Sequence, residues 1–171
     1  LPARTLDFTN YGADYQIFFF DNISVKVTAT QLSTVTDKDI TCYVWDKHII
    51  SNRFTALPSF FEMYQDEAGN QRVHIHQTAC EFMNFIINGS RVHWETEKEQ
   101  NPEFRKAYIL NSPHLTEEQQ ITQERHFLGK CFAIGYLLHK YKKRGFEKYV
   151  YVMDDKVKDS VTENNGRSGK G

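Results

Sequence analysis

The sequence runs to 171 residues, 40% apolar and 14% aromatic, with thirteen Phe and nine Tyr; this is core-forming material and excludes a disordered segment. Acidic side chains (22) and basic ones (21) nearly cancel, to a net charge of −1, so no global field draws in nucleic acid and any such contact needs a local basic patch. Three widely spaced cysteines, Cys42, Cys80 and Cys131, exclude a disulfide framework or C-x-x-C zinc knuckle and predict free thiols in a reducing cytosol, and no apolar run reaches the roughly 18 residues of a membrane span.

Residues 1–12 read as a polar lead-in. Tyr15–Phe20 and Ile23–Thr28 flank Asp21-Asn22, and two strand-like runs around two turn-formers predict a β-hairpin. Residues 29–40 are rich in Thr and Asp and predict a loop with a short helical or extended piece. Ile40–Trp45 predicts another strand, Asp46–His48 a turn, and Ile49-Ile50 a return to the core. Arg53–Phe61 reads as an aromatic connector broken by Pro58.

Glu67–Asn70 is a turn signal, and Arg72-Val73-His74-Ile75-His76 alternates like a strand. From Ala79 to Asn88, apolar residues at 79, 82, 83, 86 and 87 have helical spacing, with Gly89 in the place of a C′ residue. Residues 90–106 are charged, with Trp94 and Phe104 as isolated anchors. Thr116-Glu117-Glu118-Gln119 is a capping-box pattern. Apolar residues then recur from Ile121 to Tyr141. This predicts a long helix, stopped by Gly145 or broken at Gly129 or Gly135, with Lys140, Lys142, Lys143 and Arg144 complementing its C-terminal dipole. Tyr149–Met153 is β-branched and aromatic and predicts a strand ending at Asp154-Asp155.

The chain closes on Asn164-Asn165-Gly166-Arg167-Ser168-Gly169-Lys170-Gly171. Glycines let backbone N–H groups turn toward phosphate oxygens, and a lysine after them reaches the β and γ phosphates. Against the pattern G-x-x-x-x-G-K-[ST], Asn164 stands at the first glycine and Gly171 at the Mg²⁺-binding hydroxyl. The same composition describes a Gly/Ser-rich tail. A preceding strand is the context that favours the phosphate loop. With no initiator Met and a loop cut at its lysine, the chain is expected to be an internal piece of a longer protein.

Several stretches together resemble one family. Tyr15–Thr28 is similar to its aromatic hairpin, and Tyr43–Phe54 to its W-x-x-x-I-I-x-x-x-F segment. Phe132–Lys143 is similar to the helix before its nucleotide loop, and Asn165–Lys170 to the loop itself. The family is the primase–helicases of phages and mobile elements, especially of Bacteroides-type bacteria, which carry a superfamily 3-like helicase. The resemblance covers roughly residues 15–54 and 115–171. It implies a ring-forming, ATP- and Mg²⁺-dependent homo-oligomer that translocates on single-stranded DNA in the bacterial cytoplasm. It carries Gly166, Ser168, Gly169 and Lys170 over as phosphate-cradling residues, with Lys170 neutralising β/γ charge. The acidic motif after the loop and the arginine finger are not in this chain, so the fragment alone is expected to be inactive, with no bound cofactor.

Two other constellations compete. His74 and His76 share a strand face, the arrangement that binds a divalent metal in rolling-circle replication nucleases. Tyr136 or Tyr141, with Lys140 between them, would supply the nucleophile; the same tyrosines also fit a core stripe. Zinc on His74, His76 and Cys80 lacks a fourth ligand. The run Lys140-Tyr141-Lys142-Lys143-Arg144 is the one dense basic patch. It is either a solvated helix end or a set of DNA phosphate contacts beside a base-stacking Tyr141. Trp45 and Trp94 read as core anchors, Cys131 as a small core residue.

The expected fold is α+β: antiparallel hairpins or a small sheet first, then helices leading into the first strand and phosphate loop of an ATPase core. The expected divisions are a β-rich region at 1–110, a helical region at 111–148, and the start of the ATPase at 149–171. The expected function is a fragment of a DNA-replication primase–helicase, with a rolling-circle nuclease and a non-enzymatic interaction module as the alternatives.

Overall fold

The computed structural model describes residues 5–36, 38–76, 79–100 and 109–151. The chain divides into two compact units, Leu1–Tyr141 and Lys142–Gly171. The first holds every strand and helix among the described residues.

The architecture is α+β. Strands β1 (Tyr15–Phe19), β2 (Ser24–Thr28) and β3 (Leu32–Val35) form an antiparallel sheet in sequence order. The β1–β2 turn closes where Asp21-Asn22 predicts it, with the Phe20 N–H donating to the Ile23 carbonyl at 3.0 Å. Ile17 pairs with Lys26, Phe18 with Val25 and Val25 with Thr34. Ile17, Phe19 and Val25 are buried. Gly12 folds back onto β1, its N–H donating to the Tyr15 carbonyl at 2.9 Å. A Cβ there would lie 2.6 Å from the Tyr15 ring, so a larger residue would have to displace that ring.

Strands β4 (Phe61–Gln65) and β5 (Gln71–Ile75) make a separate hairpin. Its turn is stapled by Asp66, whose carboxylate accepts from the Asn70 N–H at 2.8 Å, and by Gly69 at φ +80°. Helices α1 (Glu81–Ser90) and α3 (Glu117–Leu138) pack on one another and α3 packs on β5. Between them Val73, Ile86, Ile87, Leu110 and Phe127 form the core, with Phe61 edge-on to Phe127 at 5.0 Å. Burying the Phe127 ring completely contributes about 2–3 kcal/mol. Thr116 caps α3 as the sequence predicts: its hydroxyl accepts from the Gln119 N–H, and the Gln119 side chain accepts from the Thr116 N–H.

Polar groups complete this half of the molecule. The Arg72 guanidinium donates to both Glu124 carboxylate oxygens, at 2.7 and 3.3 Å, and to Gln120 at 3.3 Å. It lies within 3.7 Å of Asp66 and 3.6 Å of Glu117. Asn111 adds a donor to Glu124 at 2.6 Å. Fully buried Gln123 accepts from the His93 N–H and donates to the Leu110 carbonyl. Helix α2 (Trp94–Gln100) docks through Glu97, which accepts from the Ser112 N–H and pairs with Arg91 at 3.9 Å. Burial lowers the Arg91 pKa against the opposing pull of Glu97.

Several sequence expectations are corrected. Ile40–Trp45 is in no strand; its aromatic side chains pack outward on Phe8 instead of into a ladder. Ile49 and Ile50 are exposed, and Ile50 joins the sheet through backbone bonds with Phe19 and Asp21. Strand β3 is the extended piece expected within 29–40, β4 starts where the expected connector ends, and helix α2 arises in the stretch that reads as a charged segment. Gly89 lies inside α1, and α3 runs unbroken through Gly129 and Gly135 to end at Leu138, not Gly145. Tyr149–Tyr151 forms no strand, and Tyr149 and Tyr151 are exposed. Val152 and Met153 lie outside the described residues, as do Phe104, Asp154, Asp155 and the whole loop with Gly166, Ser168, Gly169 and Lys170.

Candidate nucleic-acid interface

The end of α3 is fixed by partners far away in sequence. His139 Nε2 lies 3.1 Å from the Gly12 carbonyl and 3.3 Å from that of Tyr15. The Lys140 N–H donates to Gln16 Oε1 at 3.1 Å, and the Lys140 ammonium to Asn10 Oδ1 at 3.0 Å. Gln16 is itself buried and donates to the Ile17 carbonyl. These bonds pull the chain out of helical geometry at His139. No basic residue falls in the last turn of α3, and the run from Lys140 to Arg144 follows its C-cap, His139, as non-helical chain. Lys140, Tyr141, Lys143 and Arg144 are exposed on non-helical chain.

Lys140 is among the residues lining a cleft of about 530 Å³, with Phe8, Asn10, Gln16, Tyr43, Trp45 and His48. Small-molecule sites run from about 300 to 1,000 Å³. Its wall is an aromatic cluster: Phe8 and Trp45 stack with centroids 4.9 Å apart and planes 4° from parallel, and Tyr43 tilts against Phe8 at 6.0 Å. The cluster is held by backbone bonds beside it, Tyr43 N–H to the Asp7 carbonyl at 2.6 Å and His48 N–H to the Trp45 carbonyl at 2.8 Å in a 3₁₀ turn at Asp46–His48. Trp45 nevertheless keeps 56% of its surface exposed and Tyr43 47%. Trp45 is therefore not the core anchor that the sequence suggests. The Asp7 carboxylate accepts from the Thr9 N–H, which lowers its pKa, and it does not line the cleft.

The histidine pair lies elsewhere, on the exposed face of β5. The His74 and His76 rings meet edge to face at 4.8 Å, and His76 Nε2 is 3.5 Å from Glu62, the cross-strand partner of His74. Among the described residues, no group of three or more His, Cys, Asp or Glu is placed to hold a metal ion. Tyr136 stacks on Phe132 within α3 at 6.5 Å. Tyr141 lies beyond the helix, contrary to the expectation of a helical nucleophile, with its ring 6.3 Å from His139. The three cysteines are free and partly buried; burial raises the thiol pKa of Cys42 and Cys131.

No described helix is long and apolar enough to cross a membrane. No family model, curated protein or solved structure matches the chain.

Proposed function

We propose that the chain is the segment preceding the motor of a phage or mobile-element primase–helicase, acting in the bacterial cytoplasm, and that its own task is to hold single-stranded DNA. In the intact protein, ATP and Mg²⁺ would drive unwinding by a homo-oligomeric ring, with Gly166, Ser168, Gly169 and Lys170 cradling the phosphates. The observation that carries the DNA-holding part is the end of α3 at Leu138. It leaves the basic run as an irregular stretch, mostly solvent-facing. Cations on such a stretch can meet DNA phosphates.

The test is single-stranded DNA binding by the 171-residue chain as a function of salt. Binding is expected to weaken with rising salt, with a log–log slope of roughly −0.7 per neutralised phosphate. Replacing Lys140, Lys142, Lys143 and Arg144 by Ala is expected to flatten that slope in proportion to the phosphates those side chains neutralise. Binding that ignores those four substitutions refutes the reading. For the motor, Lys170→Ala in the intact protein is expected to abolish ATP-dependent unwinding, and unwinding that persists refutes the loop assignment.

A further inference from the structure

We infer that the Phe8–Tyr43–Trp45 cleft is a base-stacking subsite for single-stranded DNA, with Lys140, another of its lining residues, positioned for a backbone phosphate; this rests on the reading that the chain holds single-stranded DNA. Three observations converge on one ligand chemistry. The first is the Trp45 indole: one face is stacked in parallel on Phe8, and more than half its surface is open. A preorganised, flat and solvent-facing aromatic platform suits a planar base and is indifferent to which base it is.

The second is charge. The cleft is apolar along its wall but carries the Lys140 cation, and among the described residues no carboxylate lines it. An apolar peptide would find an unneeded cation there, whereas a nucleotide presents a flat apolar base and a phosphate on one scaffold. The third is that Lys140 is held in place: its backbone and side chain are both tethered, to Gln16 and Asn10. The ammonium has three donor hydrogens, and the bond to Asn10 uses one. A hydrogen-bonded cation beside a stacked ring lowers the ordering cost of binding.

The experiment uses tryptophan emission, because the chain has two Trp residues and Trp94 lies on α2, outside the cleft. Single-stranded oligothymidylate of roughly 12 nucleotides is titrated into the full chain, with duplex DNA of the same length as the comparison. Saturable quenching by the single strand is expected to exceed that by the duplex, whose bases are already stacked. Quenching is expected to persist in Trp94→Phe and to vanish in Trp45→Phe. Trp45→Ala is expected to weaken single-strand binding about tenfold, and Trp45→Phe, which restores a ring, to recover most of that loss. Far-UV circular dichroism checks that each variant is folded.

Salt-dependent binding with Trp45 emission unmoved, and with affinity indifferent to Trp45→Ala, would overturn the stacking subsite and leave the DNA-holding reading intact. Equal quenching by duplex would also overturn it, since paired bases cannot enter the cleft. Absence of any DNA binding overturns both.

Discussion

The two sides of the Leu1–Tyr141 unit use similar side chains in opposite ways. Around Phe127, an aromatic ring is wholly buried and a cation, Arg72, is saturated by Glu124, Gln120, Asp66 and Glu117. Around Trp45, the rings stack on each other but face solvent, and the cation, Lys140, is exposed and donates to the neutral side chain of Asn10. Folding alone accounts for the first arrangement. The second leaves the stacked rings partly in water, where a ligand could cover them. Burial of a ring by its own core marks structure; the stacked but open ring of Trp45 is the surface proposed above to take a DNA base.

The sharpest way to break this contrast is at the buried side. Phe127→Ala is expected to destabilise the chain by about 3–5 kcal/mol, through lost transfer energy and a cavity that rigid neighbours cannot close. Arg72→Ala is expected to cost about 3 kcal/mol, because it takes the cation from the buried Glu124 carboxylate and leaves it the Asn111 amide as donor. Replacing both Arg72 and Glu124 with Leu should recover much of that loss, since a buried ion pair often does no better than a well-packed apolar pair. Urea unfolding followed by circular dichroism measures all three. A double variant as unstable as Arg72→Ala would show the network to be more than mutual neutralisation.

How much of this is legible in the sequence depends on how local the physics is. The α3 cap is readable because Thr116 and Gln119 bond each other across three residues. Helix α1 is readable from its apolar spacing, and the β1–β2 turn from Asp21-Asn22. The end of α3 is not. Lysines are good helix formers and the periodic pattern runs on to Tyr141, but the helix is unwound by bonds from His139 and Lys140 to residues some 124 positions earlier. Strand β4 is short, and Phe61-Glu62-Met63 gives only three alternating residues, too few to stand out as a strand. Ile40–Trp45 misleads the other way: β-branched and aromatic composition is the signature of a strand and equally of an aromatic surface cluster. The cleft escapes notice for that reason. Of its residues the sequence singles out Lys140 alone as a binding candidate, and it assigns Trp45 to the core.

Smaller effects sharpen the comparison. Thr116→Ala is expected to cost about 1 kcal/mol by leaving the Gln119 N–H without its cap, and Thr116→Ser to cost less, both read as shifts in the urea midpoint. Acid titration acts on both sides at once. Asp66 has its pKa lowered chiefly by the Asn70 N–H, and Asp7 by the Thr9 N–H. A carboxyl whose pKa is lower folded than unfolded contributes stability above its unfolded pKa and loses it as pH falls. Stability should therefore decline as pH drops from about 4 downward, and Asp66→Asn should make that decline shallower. An unaltered acid limb in Asp66→Asn would exclude the hairpin turn as a source of the decline.

The smallest expected change is the most discriminating. Trp45→Ala removes the largest ring in the cleft, yet it opens no cavity, because most of the indole already meets water. What it loses is the stacking on Phe8, about 0.5–1.5 kcal/mol for an aromatic pair, reduced by exposure toward the lower end. A double-mutant cycle of Phe8→Ala with Trp45→Ala isolates that stacking from changes in the unfolded chain. The coupling should be well under the cost of Phe127→Ala. If Trp45→Ala instead destabilises the chain as much as Phe127→Ala does, the cluster is a second core in which the indole is essential to folding. The contrast between a buried structural ring and an open binding ring then fails at its root, because exposure alone would no longer separate the two.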